Sequence, residues 1–368
     1  SQNTALVVIP TRGHRPPLVI PLIPFLTPYY LCPSPCGTRL AVLGSVKRQQ
    51  VLLIADLSPL LLSCPKATAR LSCLGTAAPL YFDWAPHAPE LLAVCHEKKL
   101  VRLETELSDQ APSLKEPAEA ILTDLESLEG TEIRGRISFR APQWLPDPSG
   151  KGHGRWLVPR DNPPSPRVSL ALVDPETNEA EIVCENLPPE AHFTGTPSWV
   201  AWCGLHDEHG HGGVFARRIH PKLGPPFTAF THPNRVEGMT WGGSRLALLV
   251  HAPNCLVWTV WDAELAETRS SGCLTVAPVG FVPNRVFSGR VLPFFDQFER
   301  RLRFWNPGND ALVYADADSE VWVQTFPRDS SISRSPHPLS SLFGGDELRV
   351  APPRVRIAEG SFACWSPV

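Results

Sequence analysis

The sequence predicts an all-β fold, a single seven-bladed β-propeller, and three observations predict it. A phrase made of an aromatic or small residue, Pro and a turn recurs as Ser34-Pro35-Cys36-Gly37-Thr38, Trp84-Ala85-Pro86, Trp144-Leu145-Pro146, Trp305-Asn306-Pro307-Gly308 and Trp365-Ser366-Pro367. Short apolar runs broken by Gly, Pro, Asn and Asp follow each copy but the last, the pattern of antiparallel strands joined by tight turns, while helical periodicity is nearly absent. The anchors fall at Pro35, Pro86, Pro146, Trp202, Trp241, Pro307 and Pro367. Their steps of about 40 to 65 residues match a four-stranded propeller blade with loop insertions.

In the first unit, Arg39 to Leu43 and Gln50 to Leu57 are apolar runs ending in Ala55-Asp56-Leu57. In the second, Leu91 to Cys95 and Lys99 to Leu103 follow Phe82-Asp83-Trp84. The third has Arg155 to Pro159, then Val168 to Asp174 with the turn Asp174-Pro175-Glu176-Thr177. Ser198 to Cys203 with Val214 to Ile219 make a degenerate fourth, and Trp241 to Val250 with Cys255 to Trp261 a fifth. Ala311 to Ala315 with Glu320 to Thr325 make the sixth. Runs of this length, alternating or continuously apolar, fit strands buried on one or both faces.

The last copy, Phe362 to Pro367, has no strands after it, and Ala5 to Ile9 with Pro17 to Leu22 supply the two apolar strands that should follow. The expected ring is therefore closed by N-terminal strands pairing with the C-terminal strand, which removes exposed sheet edges. Seven blades result, with six or eight as the alternatives. The whole chain, 1-368, is expected to form one domain with insertions at about 104-132 and 328-347. The first insertion is acidic and carries Ile121, Leu122, Leu125 and Leu128 at helical spacing, which predicts a short amphipathic helix that covers its own propeller or docks on a partner. Ser330 to Asp346, rich in Ser and Pro, predicts a long surface loop.

The pattern Ser34-Pro35-x-Gly37-Thr38-x-Leu40-Ala41, followed by a strand ending near Asp56-Leu57, resembles the TolB-type propeller repeat, also found in the propeller halves of prolyl-oligopeptidase relatives. The stretch Pro293 to Phe298, leading into Arg303-Phe304-Trp305-Asn306-Pro307, is similar to a segment of bacterial TolB-like proteins. The resemblance covers most of the chain at the level of the repeat and implies a fold, not an activity. The chain departs from the pattern where Cys36 replaces the usual Asp and where Trp202 and Trp241 lack a following Pro.

Composition narrows the function classes. With 43% hydrophobic and 19% charged residues the chain is globular and ordered. A net charge of -3, from 34 Lys+Arg against 37 Asp+Glu, argues against nucleic-acid or anionic-membrane partners. The apolar stretch Pro17 to Leu31 holds Pro17, Pro21, Pro24 and Pro28. At about 15 residues it is also too short to span a bilayer as a helix, so no transmembrane segment is expected. Ten cysteines form no CxxC pair and no zinc-type spacing. Cys95, Cys203, Cys255 and Cys364 lie in apolar runs as free buried thiols, which favours an intracellular reducing compartment, although Cys32 with Cys36, or Cys64 with Cys73, are alternatives for a bridge. The first residue is Ser1, and removal of a transit peptide would place the protein in a chloroplast or mitochondrion, the cytoplasm being the alternative.

Gly-x-Ser-x-Gly, Gly-x-x-x-x-Gly-Lys and His-Glu-x-x-His are all missing from the sequence, which disfavours an α/β-type hydrolase, a P-loop enzyme and a zincin. His206, His209 and His211 sit in the one dense cluster of metal-type ligands. Its Gly-rich surroundings between two strands fit a solvated hairpin loop better than a metal site, so no metal or cofactor is expected. If the innermost strand of each blade lines a central channel, the candidates to bind a ligand there are Asp83, Gln143, Glu237, Arg301 and Arg303. Their mixed signs favour polar groups satisfied by one another and by water. The tryptophans Trp84, Trp144, Trp241, Trp305 and Trp365 recur once per unit, which points to packing between neighbouring blades instead of a stacking platform. Together these readings predict a non-catalytic scaffold that binds other protein subunits of a larger assembly. The alternative is a small-ligand binder, hydrolase or lyase acting at the channel.

Overall fold

In the computed structural model the described residues are 5-8, 18-21, 26-46, 49-56, 71-73, 81-88, 91-96, 99-104, 131-132, 142-162, 164-189, 191-204, 212-232, 235-268, 279-296, 303-326, 354-360, 363 and 365. The chain divides into two compact units, Ser1–Arg134 with Val368, and Gly135–Pro367.

The first unit holds a two-stranded antiparallel sheet, β1 (Ala5–Val8) with β2 (Leu18–Pro21), in which Leu6 opposes Ile20. Two four-stranded meanders follow. One is β3 (Thr27–Pro33), β4 (Arg39–Val46), β5 (Gln49–Asp56) and β6 (Leu71–Cys73); the other is β7 (Tyr81–Trp84), β8 (Leu91–His96), β9 (Lys99–Glu104) and β10 (Thr131–Glu132). In β4 and β5 the successive residues Leu40, Ala41, Val42 and Leu52, Leu53, Ile54 are all buried, so both faces of this sheet are covered. The anchor turn between β3 and β4 closes on Ser34, whose hydroxyl accepts from Arg39 N at 3.0 Å and whose carbonyl accepts from Gly37 N at 2.9 Å. Gly37 has φ 71°, a left-handed conformation that a side chain would strain.

The second unit has three further four-stranded meanders. They are β11 (Gln143–Leu145), β12 (Arg155–Asn162), β13 (Ser165–Val173), β14 (Ala180–Leu187); β15 (Phe193–Gly195), β16 (Trp199–Cys203), β17 (Gly212–Arg218), β18 (Phe227–His232); and β19 (Val236–Gly242), β20 (Arg245–Ala252), β21 (Cys255–Asp262), β22 (Val279–Phe281). A last sheet has β23 (Ala311–Ala315), β24 (Glu320–Thr325) and β25 (Arg354–Glu359). Trp305 extends it by a bridge to Leu312, and Arg303 in turn bridges Trp365, whose N–H donates to the Arg303 carbonyl at 2.7 Å. The chain is thus all-β and built of several antiparallel four-stranded sheets.

One anchor is corrected. In the fourth repeat the first strand is β15, and the turn after it is Thr196-Pro197-Ser198, where the Thr196 hydroxyl accepts from Ser198 N at 3.2 Å and Trp199 N at 3.0 Å. The anchor proline is therefore Pro197, and Trp202 lies one strand later in β16, so this repeat keeps its Pro. The fifth repeat has Trp241 in its first strand and replaces Pro with Gly242-Gly243-Ser244, with Gly243 at φ 63°.

Among the described residues, two helical pieces interrupt the strands: α1 (Ala263–Thr268), and a segment over Phe287–Val291 and Leu292–Phe294. The second is explained by its side chains. Phe287, Val291 and Phe295 are spaced four apart, fall on one face of a helical turn, and are all buried. Phe295 stacks on Phe304 with ring centroids 5.2 Å apart and lies 6.1 Å from Trp258, in an aromatic core shared with Phe281, Phe287 and Tyr314. A methyl group on Gly238 would meet the Phe295 ring at 2.2 Å, so the strand β19 must carry Gly at that point. The helix expected within 104-132 lies outside the described residues, as does the loop at 328-347.

The recurring tryptophans join consecutive sheets through hydrogen bonds as well as packing. Trp84 Nε1 donates to the Cys32 carbonyl at 3.0 Å, Trp241 Nε1 to that of Thr194 at 3.3 Å, and Trp305 Nε1 to that of Thr240 at 3.3 Å. In each case the first strand of one sheet is tied to the first strand of the sheet before it. Trp144 differs, donating to the His153 carbonyl of its own turn at 2.6 Å.

Candidate functional site

Of the residues that the sequence nominates for a channel, Gln143, Glu237 and Arg303 belong to the second unit and are described there. Gln143, at the start of β11, uses both ends of its amide on one residue of the next sheet: Nε2 donates to the Gly195 carbonyl at 3.0 Å and Oε1 accepts from Gly195 N at 2.8 Å. Glu237 on β19 pairs with Arg235 at 3.6 Å and with His251 at 3.3 Å. Arg303 is exposed, with its backbone bridged to Trp365. No hydrogen bond or ion pair joins these three to one another. Asp83 is half-buried in β7, opposite Ala93. Arg301, His206, His209 and His211 lie outside the described residues.

A different place presents a cavity. At the turn end of the β11–β14 and β15–β18 sheets lies a pocket of about 660 Å³ lined by four turns. The volume falls within the usual range for ligand sites. The first turn runs from Pro146 to Gly154. Asp147 organises it: Oδ2 accepts from Gly152 N at 2.8 Å, from Lys151 N at 3.3 Å and from the Ser149 hydroxyl. The Ser149 hydroxyl and the Gly152 N–H hold the Asp147 carboxyl down at about 2. Gly154 closes the turn at φ 78°, where a Cβ would sit 2.1 Å from the Leu145 carbonyl oxygen.

The second turn, between β13 and β14, is built on Asp174, whose Oδ1 accepts from Glu176 N at 2.8 Å and Thr177 N at 3.0 Å. The Thr177 N–H, against some burial, and the Glu176 N–H keep this carboxyl below its ordinary value. Pro197 comes from the third turn, and His220, Pro221, Lys222 and Leu223 from the fourth. Arg155 spans the two sheets, with Nη1 on Glu181 at 2.9 Å and Nη2 on the Ile219 carbonyl at 3.4 Å. His153 meets Glu176 at 3.1 Å near the surface.

The lining contains no Ser, Thr or Cys, so it offers no side-chain nucleophile of those kinds. Nor do the described residues gather three His, Cys, Asp or Glu side chains as a metal would need. Its carboxylates outnumber its Lys and Arg residues by two, counting Asp147, Asp174, Glu176 and Glu181 against Arg155 and Lys222.

No protein-family model and no curated protein matches the chain. Solved structures do. A TolB from Acinetobacter baumannii is 11% identical with a TM-score of 0.41, over 71% of this chain and 57% of that one. The chain resembles TolB-like β-propellers. A prolyl endopeptidase is 8% identical with a TM-score of 0.46, over 82% of this chain and 40% of that one, and the β-propeller domain of the Trilobed protease from Pyrococcus furiosus is 10% identical with a TM-score of 0.44, over 85% and 80%. This chain thus spans 57% of the TolB and 40% of the prolyl endopeptidase.

Sequence reasoning missed the pocket because its walls come from turns far apart in the chain. The available signal was proline at strand ends: Pro146, Pro148, Pro175, Pro197 and Pro221 all line it. It also missed a buried pair, His192 Nδ1 with Asp296 Oδ1 at 3.2 Å, which ties the segment after Phe287 to the start of β15. Cys32 and Cys36 are both free, the first buried and the second exposed, so the alternative of a bridge between them is removed.

Proposed function

We propose that the protein is a non-catalytic scaffold, a seven-bladed propeller that binds other protein subunits within a larger assembly. The observation that supports this best is the use of Gln143: a polar side chain at a nominated channel position has both its donor and its acceptor on the neighbouring strand. A side chain committed in this way stiffens the frame, and it binds a guest only after breaking that link. Two of the exposed large apolar residues, Val355 at 61% and Ile357 at 56%, share the outer strand β25, a position suited to contact with another protein.

In this proposal the sheets beginning at β3, β7, β11, β15 and β19 are five blades, and the β23–β25 sheet with Trp305 is the sixth. The strand at Trp365 with β1 and β2 makes the seventh, closing the ring. Free cysteines among the described residues, Cys32, Cys36, Cys184, Cys203 and Cys255, fit a reducing compartment, an organelle or the cytoplasm. Native mass spectrometry of the protein from its source tests the reading. A defined hetero-assembly is expected; a free monomer at cellular concentration overturns it.

A further inference from the structure

We infer that Cys203, Met239 and His192 form a binding site for a soft monovalent metal ion, Cu(I), between the β15–β18 and β19–β22 sheets. The inference concerns the second unit alone and does not depend on the scaffold reading.

Two sulfurs from different sheets set the geometry. Cys203 ends β16, and Met239, the one methionine of the chain, lies in β19. The Cys203 thiol donates to the Met239 thioether, with Sγ and Sδ 4.0 Å apart. A metal–thiolate bond is about 2.3 Å long, so two sulfurs at this spacing hold one ion at an angle of about 120°, the trigonal value, without moving apart. Thiolate and thioether are the donors that select Cu(I) over harder ions. Such an ion is satisfied by two or three donors, and the thioether is a donor outside the His, Cys, Asp and Glu set. Met239 is buried and Cys203 half-buried, so the thiol gives the ion its way in from solvent.

The third donor stands just ahead of β15. The Cys203 N–H donates to the His192 carbonyl at 2.9 Å, which continues the ladder in which Phe193 opposes Trp202. Directly opposed residues send their side chains to one face, with Cβ atoms about 5 Å apart, and this places the imidazole beside the Cys203 sulfur. The His192 side chain is 9% exposed, and its Nδ1 meets Asp296 Oδ1 at 3.2 Å. A carboxylate on one ring nitrogen is the usual companion of a metal-ligating histidine, because it fixes the ring and its tautomer. Nε2 is then the nitrogen that meets the ion. Thr194, the next residue on this face, is buried with a hydroxyl that has no hydrogen-bond partner, so the polar groups here are not complete by themselves. On binding, the Cys203 thiol releases its proton to solvent, and the thiolate cancels the charge of Cu(I), as a buried site requires.

The test uses the full chain, reduced and free of oxygen, titrated with Cu(I) in competition with bicinchoninate. The wild type should take one equivalent that excess Zn(II) does not displace. Cys203→Ser and Met239→Leu, both close to the native volume, should each bind at least about tenfold more weakly. Cys36→Ser removes an exposed thiol elsewhere and should leave the affinity as it is. Near-ultraviolet circular dichroism of the tryptophans checks that each variant is folded. X-ray absorption at the copper edge should show two sulfur neighbours and one nitrogen in the wild type, with the nitrogen lost in His192→Gln. No uptake of Cu(I), displacement by Zn(II), an unchanged affinity in either folded sulfur variant, or a shell without sulfur or without nitrogen overturns the inference. The wild-type spectrum decides even if a variant fails to fold.

Discussion

The anchor turn at Asn306 and the anchor turn at Asp147 stand at the same place in the repeat and are used differently. At Asn306 the chain returns to a strand at once. The Asn306 Oδ1 accepts from Asp310 N at 2.9 Å and Ala311 N at 3.0 Å, while Nδ2 donates to Asp310 Oδ1 at 2.7 Å. A neutral amide is satisfied at both ends, and nothing is left over. At Asp147 the chain runs on to Arg155 before the next strand, and the side chain is a carboxylate with one oxygen engaged. The short neutral turn locks the frame; the long charged turn makes one wall of a cavity. The repeat therefore closes a compact turn where it is regular and lines a cavity where it is stretched.

The largest effect expected on the frame is Trp305→Ala. Its ring is buried, packs on Phe326 with centroids 5.8 Å apart and bonds the Thr240 carbonyl. Removing it should cost about 3–5 kcal/mol of stability by urea denaturation, the usual penalty for a large aromatic in a core. Asn306→Ala removes the acceptor that closes the regular turn and should cost about 1–2 kcal/mol, measured in the same way.

The Asp147 turn should instead reveal itself through pH. Its carboxyl is held at about 2 in the fold against 3.8 unperturbed, so its contribution is complete above the unfolded value and is lost as pH falls from 3.8 toward 2. Asp147→Asn should flatten that part of a stability-versus-pH curve, and an identical curve would contradict the assigned hydrogen bonds. The smallest expected effect concerns two thiols and leaves stability untouched. Burial pushes Cys184 up to about 12. Cys36 is exposed, and although slight burial opposes it, the Ser34 and Thr38 hydroxyls hold its thiol below the ordinary value. Iodoacetamide followed by peptide mass mapping should therefore label Cys36 well before Cys184.

Much of the frame is legible from residue patterns. The strands Ala311–Ala315 and Glu320–Thr325 fall where the apolar runs place them, and the Asp174 turn is visible as Asp-Pro-Glu-Thr. The fourth anchor is not, because Phe193-Thr194-Gly195 lacks a tryptophan before its Thr196-Pro197, and the conspicuous Trp202 belongs to the following strand. The helical segment is hidden by its shortness, although the spacing of Phe287, Val291 and Phe295 carries it. The pocket's local signal is limited to prolines at strand ends, which do not say that their turns meet. Arg155 reaching to Ile219 is a contact between two sheets, and only their packing brings Asp147, Asp174 and Lys222 around one cavity.

The central claim is that polar side chains on the first strands belong to the frame and not to a ligand. Equilibrium urea unfolding of Gln143→Ala, followed by tryptophan fluorescence, tests it most directly. Loss of the paired bonds to Gly195 should lower stability by about 1–3 kcal/mol, because the Gly195 N–H and carbonyl lose their partner. A midpoint identical to that of the wild type would contradict the claim and return Gln143 to the candidates for a ligand site.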